Sequence, residues 1–201
     1  KALYPKSRFT VLADSNQAVY PVISTMDPEE FKKILGRNMK EVPLNKSYRS
    51  TAPINAYAFD ILGIHDSDLY VDRPGKEPEE IVTEDMWGNV SRIINETPKE
   101  KSIAIITCDK QSAYDVKQML PEFYNESGRK IEYILNPDRE LEEKIVLIPI
   151  MLAKGLEFDV VIIWDDREQA YWDKNKHLKY LMCTRALHEL YIVSKDDISS
   201  K

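Results

Sequence analysis

The feature that most constrains this 201-residue chain is the alternation of short, wholly apolar runs with helical patterns. SIAIITC (Ser102 to Cys108), KIVLIPI (Lys144 to Ile150) and DVVIIWDD (Asp159 to Asp166) are apolar at nearly every core position rather than at every second one. Such runs suit strands buried on both faces, which is the situation in a parallel sheet covered by helices. RFTVLA (Arg8 to Ala13), EIVTE (Glu80 to Glu84), IEYIL (Ile131 to Leu135) and ELYIVSK (Glu189 to Lys195) read as further strands. Between them lie helical segments: DPEEFKKILG, with Asp27 as N-cap and Pro28 at the first helical position, then Thr51 to Gly63, Met86 to Thr97, Lys110 to Phe123 and Asn175 to His188. His65 to Glu80 lacks periodicity and reads as loop. Strands separated by helices indicate βαβ units, with right-handed crossovers placing helices on both faces of a mostly parallel sheet.

In open sheets of this kind ligands bind beyond the carboxyl ends of the strands. That rule directs attention to Asp14 to Tyr20, Thr107 to Lys110 and Asp165 to Arg167. A phosphate loop of its own is missing, because none of the six glycines falls in a GxxxxGK(S/T) pattern or a GxGxxG pattern. DVVIIWDD could deliver Asp165 to a magnesium; without a phosphate loop the alternative is a strand end with solvated acids. His65, His177 and His188 do not have metal-ligand spacing, and no nucleophile elbow is present. Cys108 and Cys183 form no disulfide framework, suit a reducing cytosol and read as small core residues. With 28 Lys+Arg against 34 Asp+Glu the net charge is −6, which argues against a stand-alone nucleic-acid binder. No apolar run reaches the roughly 18 residues of a membrane span. The opening KALYPKSRFT has neither an initiator Met nor a signal-type apolar region and reads as the start of an excised or mature fragment.

Three local features remain. Leu178, Leu181 and Arg185 fall at i, i+3 and i+7, which puts a guanidinium on the apolar stripe of the predicted helix from Lys174 to His188. A buried arginine needs anionic or hydrogen-bonding partners, so it is either an internal salt bridge or a donor aimed at a ligand phosphate. Ala153 to Phe158 (AKGLEF) lies between two strand candidates. Gly155 there permits a tight turn or a close backbone approach, and the plain alternative is a hairpin-like surface turn. Tyr48-Arg49-Ser50 pairs an aromatic face with a cation just before a helix. It could stack on a base and grip a phosphate, or be a packed tyrosine beside a surface arginine.

The order of these segments resembles that of the UvrD/Rep-type superfamily 1 helicases. TVLADSNQAVY (Thr10 to Tyr20) resembles their GDxxQSIY motif and LNKSYRST (Leu44 to Thr51) their LxxNYRS motif. LAKGLEFDVVI (Leu152 to Ile162) is similar to AKGLEF, and YLMCTRALHELYIV (Tyr180 to Val193) to YVAxTRA. The wording of the last two is most similar to the HelD, helicase IV-like branch, which includes an RNA-polymerase-associated ATPase. The resemblance implies an α/β RecA-like fold without its own P-loop, with residues 1–20 the tail of a first RecA-like domain and residues 21–201 the second, C-terminal one. It implies that the chain is cytoplasmic and completes an ATP cleft, with ATP and Mg2+ needing a Walker A/B domain outside this sequence.

The residue roles carried by the resemblance are specific. Gln17, with Asp14 in its loop, would sense the γ-phosphate; Tyr48 would stack on adenine; Arg49 would reach the γ-phosphate. Glu157 would contact the ribose, with Gly155 allowing that approach, and Arg185 would be the arginine finger. Tyr20 would stack on single-stranded DNA, and no residue would bind a metal. The partners implied are the N-terminal RecA-like domain of the same protein, single-stranded DNA and no membrane. RNA polymerase is the partner in the alternative, transcription-associated reading. The leading motif Gly is Ala13 here, a DNA-gripping aromatic position is Val22, and Pro149 and Met151 stand where Thr and His usually precede AKGLEF. The isolated fragment is expected to hydrolyse no ATP.

Overall fold

The computed structural model describes residues 46–119, 129–136 and 141–195, together with the single positions Lys33, Lys40 and Val42. The chain divides into two compact units, Lys1–Asn45 and Lys46–Lys201. The strand expected at Arg8 to Ala13 lies outside the described residues. Of the helix expected from Asp27 to Gly36, only Lys33 is described, and it is helical and exposed.

Within the second unit the chain opens with helix α1 (Ala52–Ile61), which carries a proline in its first turn, where the missing amide costs nothing. It stops at Gly63, whose φ of +72° lets its amide bond back to the Asp60 carbonyl at 2.8 Å. Strand β1 (Glu79–Val82) leads into α2 (Met86–Glu96), capped by the Asp85 carboxylate accepting from the Gly88 amide at 2.8 Å. Then follow β2 (Ile103–Thr107), α3 (Lys110–Met119), β3 (Ile131–Tyr133), β4 (Ile145–Pro149) and the short α4 (Ile150–Ala153). Strand β5 (Phe158–Asp165), helices α5 (Gln169–Lys174) and α6 (Lys176–Cys183), and strand β6 (Ala186–Ser194) complete the described order.

Among the described residues the strands form one six-stranded sheet in the order β1-β6-β5-β2-β4-β3, every pairing parallel. The central strands β2 and β4 are buried at every residue, which is why their sequences show no alternation. Ile105 sits between Leu147 of β4 and Ile162 of β5. Met86, Val90, Ile93 and Ile94 of α2, with Ala113 and Val116 of α3, close over one face of the sheet. α1 and α4 each touch α6, and all three touch the strands, forming the second helical layer. Buried Cys183 belongs to that layer, and burial pushes its thiol pKa up to about 12, so it stays a neutral core group. Among the described residues no helix is long and apolar enough to cross a membrane.

The predicted loop from His65 to Glu80 is only partly irregular. It contains a 3-10 turn at Ser67–Leu69 and a parallel bridge between Tyr70 and Ser47, and β1 begins at Glu79. Its lack of periodicity is real, but backbone pairing with a distant segment gives it an extended form that no local pattern encodes.

Replacing Ile105 with Ala removes side-chain packing on a central strand with no solvent access. The expected loss is about 2–5 kcal/mol of unfolding free energy, read as a lower urea midpoint with unchanged slope.

Candidate functional site

Of the residues singled out by sequence, Tyr48, Arg49, Gly155, Glu157 and Arg185 gather at the amino ends of β5 and β6, not at carboxyl ends. Helix α6 stops at Cys183, two residues before Arg185. The Thr184 amide bonds to Tyr180 O at 3.0 Å and the Arg185 amide to Met182 O at 3.2 Å, after which Ala186 opens β6. Arg185 therefore does not lie on a helical stripe, and the predicted helix through His188 is too long. Pairing of Ala186 with Phe158 of β5 draws the chain into the sheet, overriding the helical preference of Ala186 and Leu187.

Arg185 is nonetheless enclosed, at 1% exposure. Its Nε donates to Leu181 O at 3.2 Å, Nη1 to Leu156 O at 3.3 Å and Nη2 to Thr184 Oγ1 at 3.2 Å. These acceptors are uncharged oxygens, two of them carbonyls.

The Leu156 carbonyl comes from the turn between α4 and β5. Gly155 there has φ +87°, in the left-handed region that favours glycine, and the Leu156 amide returns to Ala153 O at 3.0 Å. The hairpin reading of this turn does not hold, because the sheet order places β2 between β4 and β5. Glu157 follows, its Oε1 2.5 Å from Arg49 Nε, with both side chains more than a third exposed. Ser50, the residue after Arg49, donates its hydroxyl to Ala186 O at 2.6 Å and so docks the Arg49 segment on the start of β6. Tyr48 stands 70% exposed beside it. Tyr48, Arg49, Gly155, Glu157 and Arg185 thus lie in three segments that meet at the amino-terminal end of these two strands. Asp14, Gln17 and Tyr20 lie outside the described residues.

The carboxyl ends are occupied by internal pairs. Asp165, expected as a solvated strand-end acid or a magnesium ligand, is 5% exposed. It accepts from Trp172 Nε1 at 2.6 Å and from Lys179 Nζ at 3.1 Å, a lysine that also lies over the Trp172 ring. Beside it, Arg167 spans the ends of β2 and β5, with Nη2 2.6 Å from Asp109 Oδ2 and Nε 3.3 Å from Asp166 Oδ1. Cys108 is buried as expected but not in apolar surroundings: Arg167 Nε donates to its sulfur at 2.9 Å, and Ser112 Oγ lies 3.5 Å away. Desolvation is the largest influence on the Cys108 thiol and pushes its pKa up. Partial burial also opposes the Asp109 carboxylate, but the Ser112 amide and the Arg167 guanidinium outweigh it and hold that pKa below the ordinary range. Among the described residues no group of three or more His, Cys, Asp or Glu side chains could hold a metal ion.

Sequence reasoning missed the residues that brace this end. Arg73 Nη1 donates to Arg49 O at 2.7 Å, and its Nη2 lies 3.0 Å from His188 Nδ1. The signal available was slight: an arginine before Pro74-Gly75 in a segment with no period.

Residues 144–193 match the family model of the UvrD-like helicase C-terminal domain. That stretch runs from the start of β4 through β6 and holds Gly155, Glu157 and Arg185. Among solved structures, the C-terminal domain of a possible DNA helicase from Lactobacillus plantarum WCFS1 is similar, with 28% identity and a TM-score of 0.56. The match covers 74% of this chain and 87% of that one. The fold is that of a helicase C-terminal RecA-like domain. A comparison with curated proteins finds no match.

Two outcomes follow from the pairing around this sheet. Asp165→Ala strands Lys179 and the Trp172 indole without their acceptor and is expected to cost about 3–5 kcal/mol in chemical denaturation. Asp109, Asp159 and Glu189 all titrate below their ordinary values, each against an opposing burial effect: the Ser112 amide and Arg167 favour the Asp109 anion, Ser102 that of Asp159, and Lys101 that of Glu189. Their contribution is present above the unfolded carboxylate pKa of about 4 and is lost as pH falls through the lower folded values. The thermal midpoint should accordingly drop on acidification from about pH 4 downward through the folded values, and less steeply in Asp159→Asn.

Proposed function

We propose that this chain is the second motor lobe of an ATP-driven DNA helicase or translocase, completing a nucleotide cleft with a first RecA-like lobe. The carrying observation is the meeting of Arg49, Glu157 and Arg185 at the amino ends of β5 and β6. In this reading residues 1–20 are the tail of the first lobe and residues 21–201 the second. Magnesium and the phosphate loop belong to the first lobe, and the protein works in the cytoplasm.

The chemistry asked of this lobe is electrostatic. As water attacks the γ-phosphate and the bond to ADP breaks, charge develops on the phosphoryl oxygens, and arginines fixed in advance stabilise it. Arg49 is half-exposed and shares its charge with Glu157 across a surface pair, which is worth at most about 1 kcal/mol. Phosphate oxygens can take that arginine at little cost, freeing Glu157 for the ribose hydroxyls. Arg185 is enclosed, so reaching a phosphate requires it to exchange a bond to Leu156 O or Thr184 Oγ1 for an anionic oxygen. An anionic oxygen adds a charge–charge attraction that the neutral Leu156 and Thr184 oxygens lack. Tyr48 offers an exposed ring for adenine. Gln17 would sense the γ-phosphate from the first lobe's side, and Tyr20 would stack on single-stranded DNA.

The net charge of −6 favours a second reading, in which the same motor belongs to the HelD, helicase IV-like branch and remodels RNA polymerase without robust unwinding. Duplex unwinding by the full-length protein, set beside recovery of RNA polymerase on it, separates the two.

Arg185→Ala in the full-length protein should lower ATP turnover by about 10³–10⁵. An unchanged rate removes the finger assignment. The 201-residue chain alone should show no turnover in the same assay, and measurable hydrolysis by it would sink the shared-cleft reading.

A further inference from the structure

We propose that Arg73 is a positioning residue for Arg49, tying the Arg49 backbone to the two strands whose amino ends carry Glu157 and Arg185. The inference rests on the nucleotide-cleft reading above and extends it to a residue outside the segments that resemble helicase motifs.

Residues 69–75 run alongside residues 47–52 as a strap. The Ser47 amide bonds to Leu69 O at 2.7 Å, the Val71 amide to Ser47 O at 3.0 Å, and the Ala52 amide to Arg73 O at 2.7 Å. Gly75 closes the strap against Thr51; a Cβ at that glycine would fall 2.4 Å from Thr51 Cγ2, so no side chain fits there. The strap grips both ends of the Tyr48-Arg49-Ser50 segment through backbone bonds. Its middle is held by a side chain, because Arg73 Nη1 reaches the Arg49 carbonyl at 2.7 Å.

The other arm of the same guanidinium fixes where that carbonyl sits relative to the sheet. Arg73 Nη2 lies 3.0 Å from His188 Nδ1. A guanidinium has donors and no acceptor, so Nδ1 accepts and a neutral His188 carries its proton on Nε2. Nε2 is 3.6 Å from Asp159 Oδ1, while Asp159 Oδ2 accepts from both the amide and the hydroxyl of Ser102 at 2.8 Å. The chain of contacts therefore runs from the Arg49 backbone through Arg73 to β6 at His188 and β5 at Asp159. Those strands begin at Ala186 and Phe158, directly after Arg185 and Glu157. A planar fork with two arms at fixed geometry suits this bridge; a lysine's three donors share one nitrogen on a flexible stem and lack that fixed spacing. Charges that act together on a transition state must be held within about 0.5 Å of their working geometry, and Arg49 sits on a segment outside the sheet that needs such bracing.

The test is steady-state ATP hydrolysis by the full-length protein carrying Arg73→Ala, Arg73→Lys, Arg49→Ala, and Arg49→Ala with Arg73→Ala. Arg73→Ala should lower kcat about tenfold, the scale of one charge-assisted hydrogen bond, with little change in KM. Arg73→Lys should recover part of the loss. In the Arg49→Ala background the Arg73→Ala change should have no further effect on kcat, because Arg73 acts through Arg49. A role in stability alone would instead multiply with the loss from Arg49→Ala, and that result overturns the proposal. So does a wild-type kcat in Arg73→Ala beside a lost kcat in Arg49→Ala, which leaves the cleft reading standing. An unchanged kcat in Arg49→Ala itself overturns the cleft reading and this inference together. Hydrogen exchange at the Ala52 and Val71 amides reports whether the strap stays docked. If Arg73→Ala fails to fold, Arg73→Lys and Arg73→Gln carry the same comparison.

Discussion

A guanidinium enclosed at the junction of α6 and β6 sets the terms for this end of the sheet. Removing a charge from water costs several kcal/mol unless oxygens replace the lost hydration. Arg185 takes oxygen acceptors from the last turn of the preceding helix, from its own neighbour Thr184, and from Leu156 in the turn before β5. Each source requires something of the fold. Helix α6 must end where Leu181 O is still within reach, β5 and β6 must be neighbours, and the α4–β5 turn must bring the Leu156 carbonyl to the guanidinium. Gly155, at φ +87°, provides that turn without steric cost.

The sheet itself was legible because burial on both faces leaves an unambiguous mark. Ile103–Thr107 and Ile145–Pro149 are buried at every position and, Thr107 apart, carry no polar side chain, whereas an amphipathic helix would interrupt such a run with polar residues. The error at β6 has the opposite cause. Ala186, Leu187 and His188 continue a helical pattern locally, and only pairing across to β5 makes them a strand, which no window along the chain can contain. Asp165 was misread for a similar reason. Its partners Trp172 and Lys179 sit on two separate helices, so the burial of its carboxylate is a property of their packing and not of the strand's own sequence. At the site, residue types and their order pointed to Arg49, Glu157 and Arg185, whereas Arg73 and the contact it makes with His188 escaped notice. A backbone carbonyl contacted by a side chain from a period-free loop leaves no compositional trace.

The two ends of the sheet differ in what it costs to exchange a partner. At the carboxyl ends Asp165 and Lys179 are mostly buried, and separating such a pair leaves an uncompensated charge at about 3–5 kcal/mol. Arg167, with Asp109 and Asp166, spans the crevice between β2 and β5 where open α/β sheets ordinarily take their ligands. At the amino ends the Arg49–Glu157 pair is solvated, so an incoming anion competes against an interaction worth at most about 1 kcal/mol. Exchange is therefore inexpensive at the solvated Arg49–Glu157 pair and costly at the buried Asp165–Lys179 pair. In the proposed motor the two tendencies divide between lobes: the partner lobe would offer its carboxyl ends to the phosphates. This lobe would present braced arginines from the opposite end, so that closing the lobes onto ATP brings together charges neither holds in position alone.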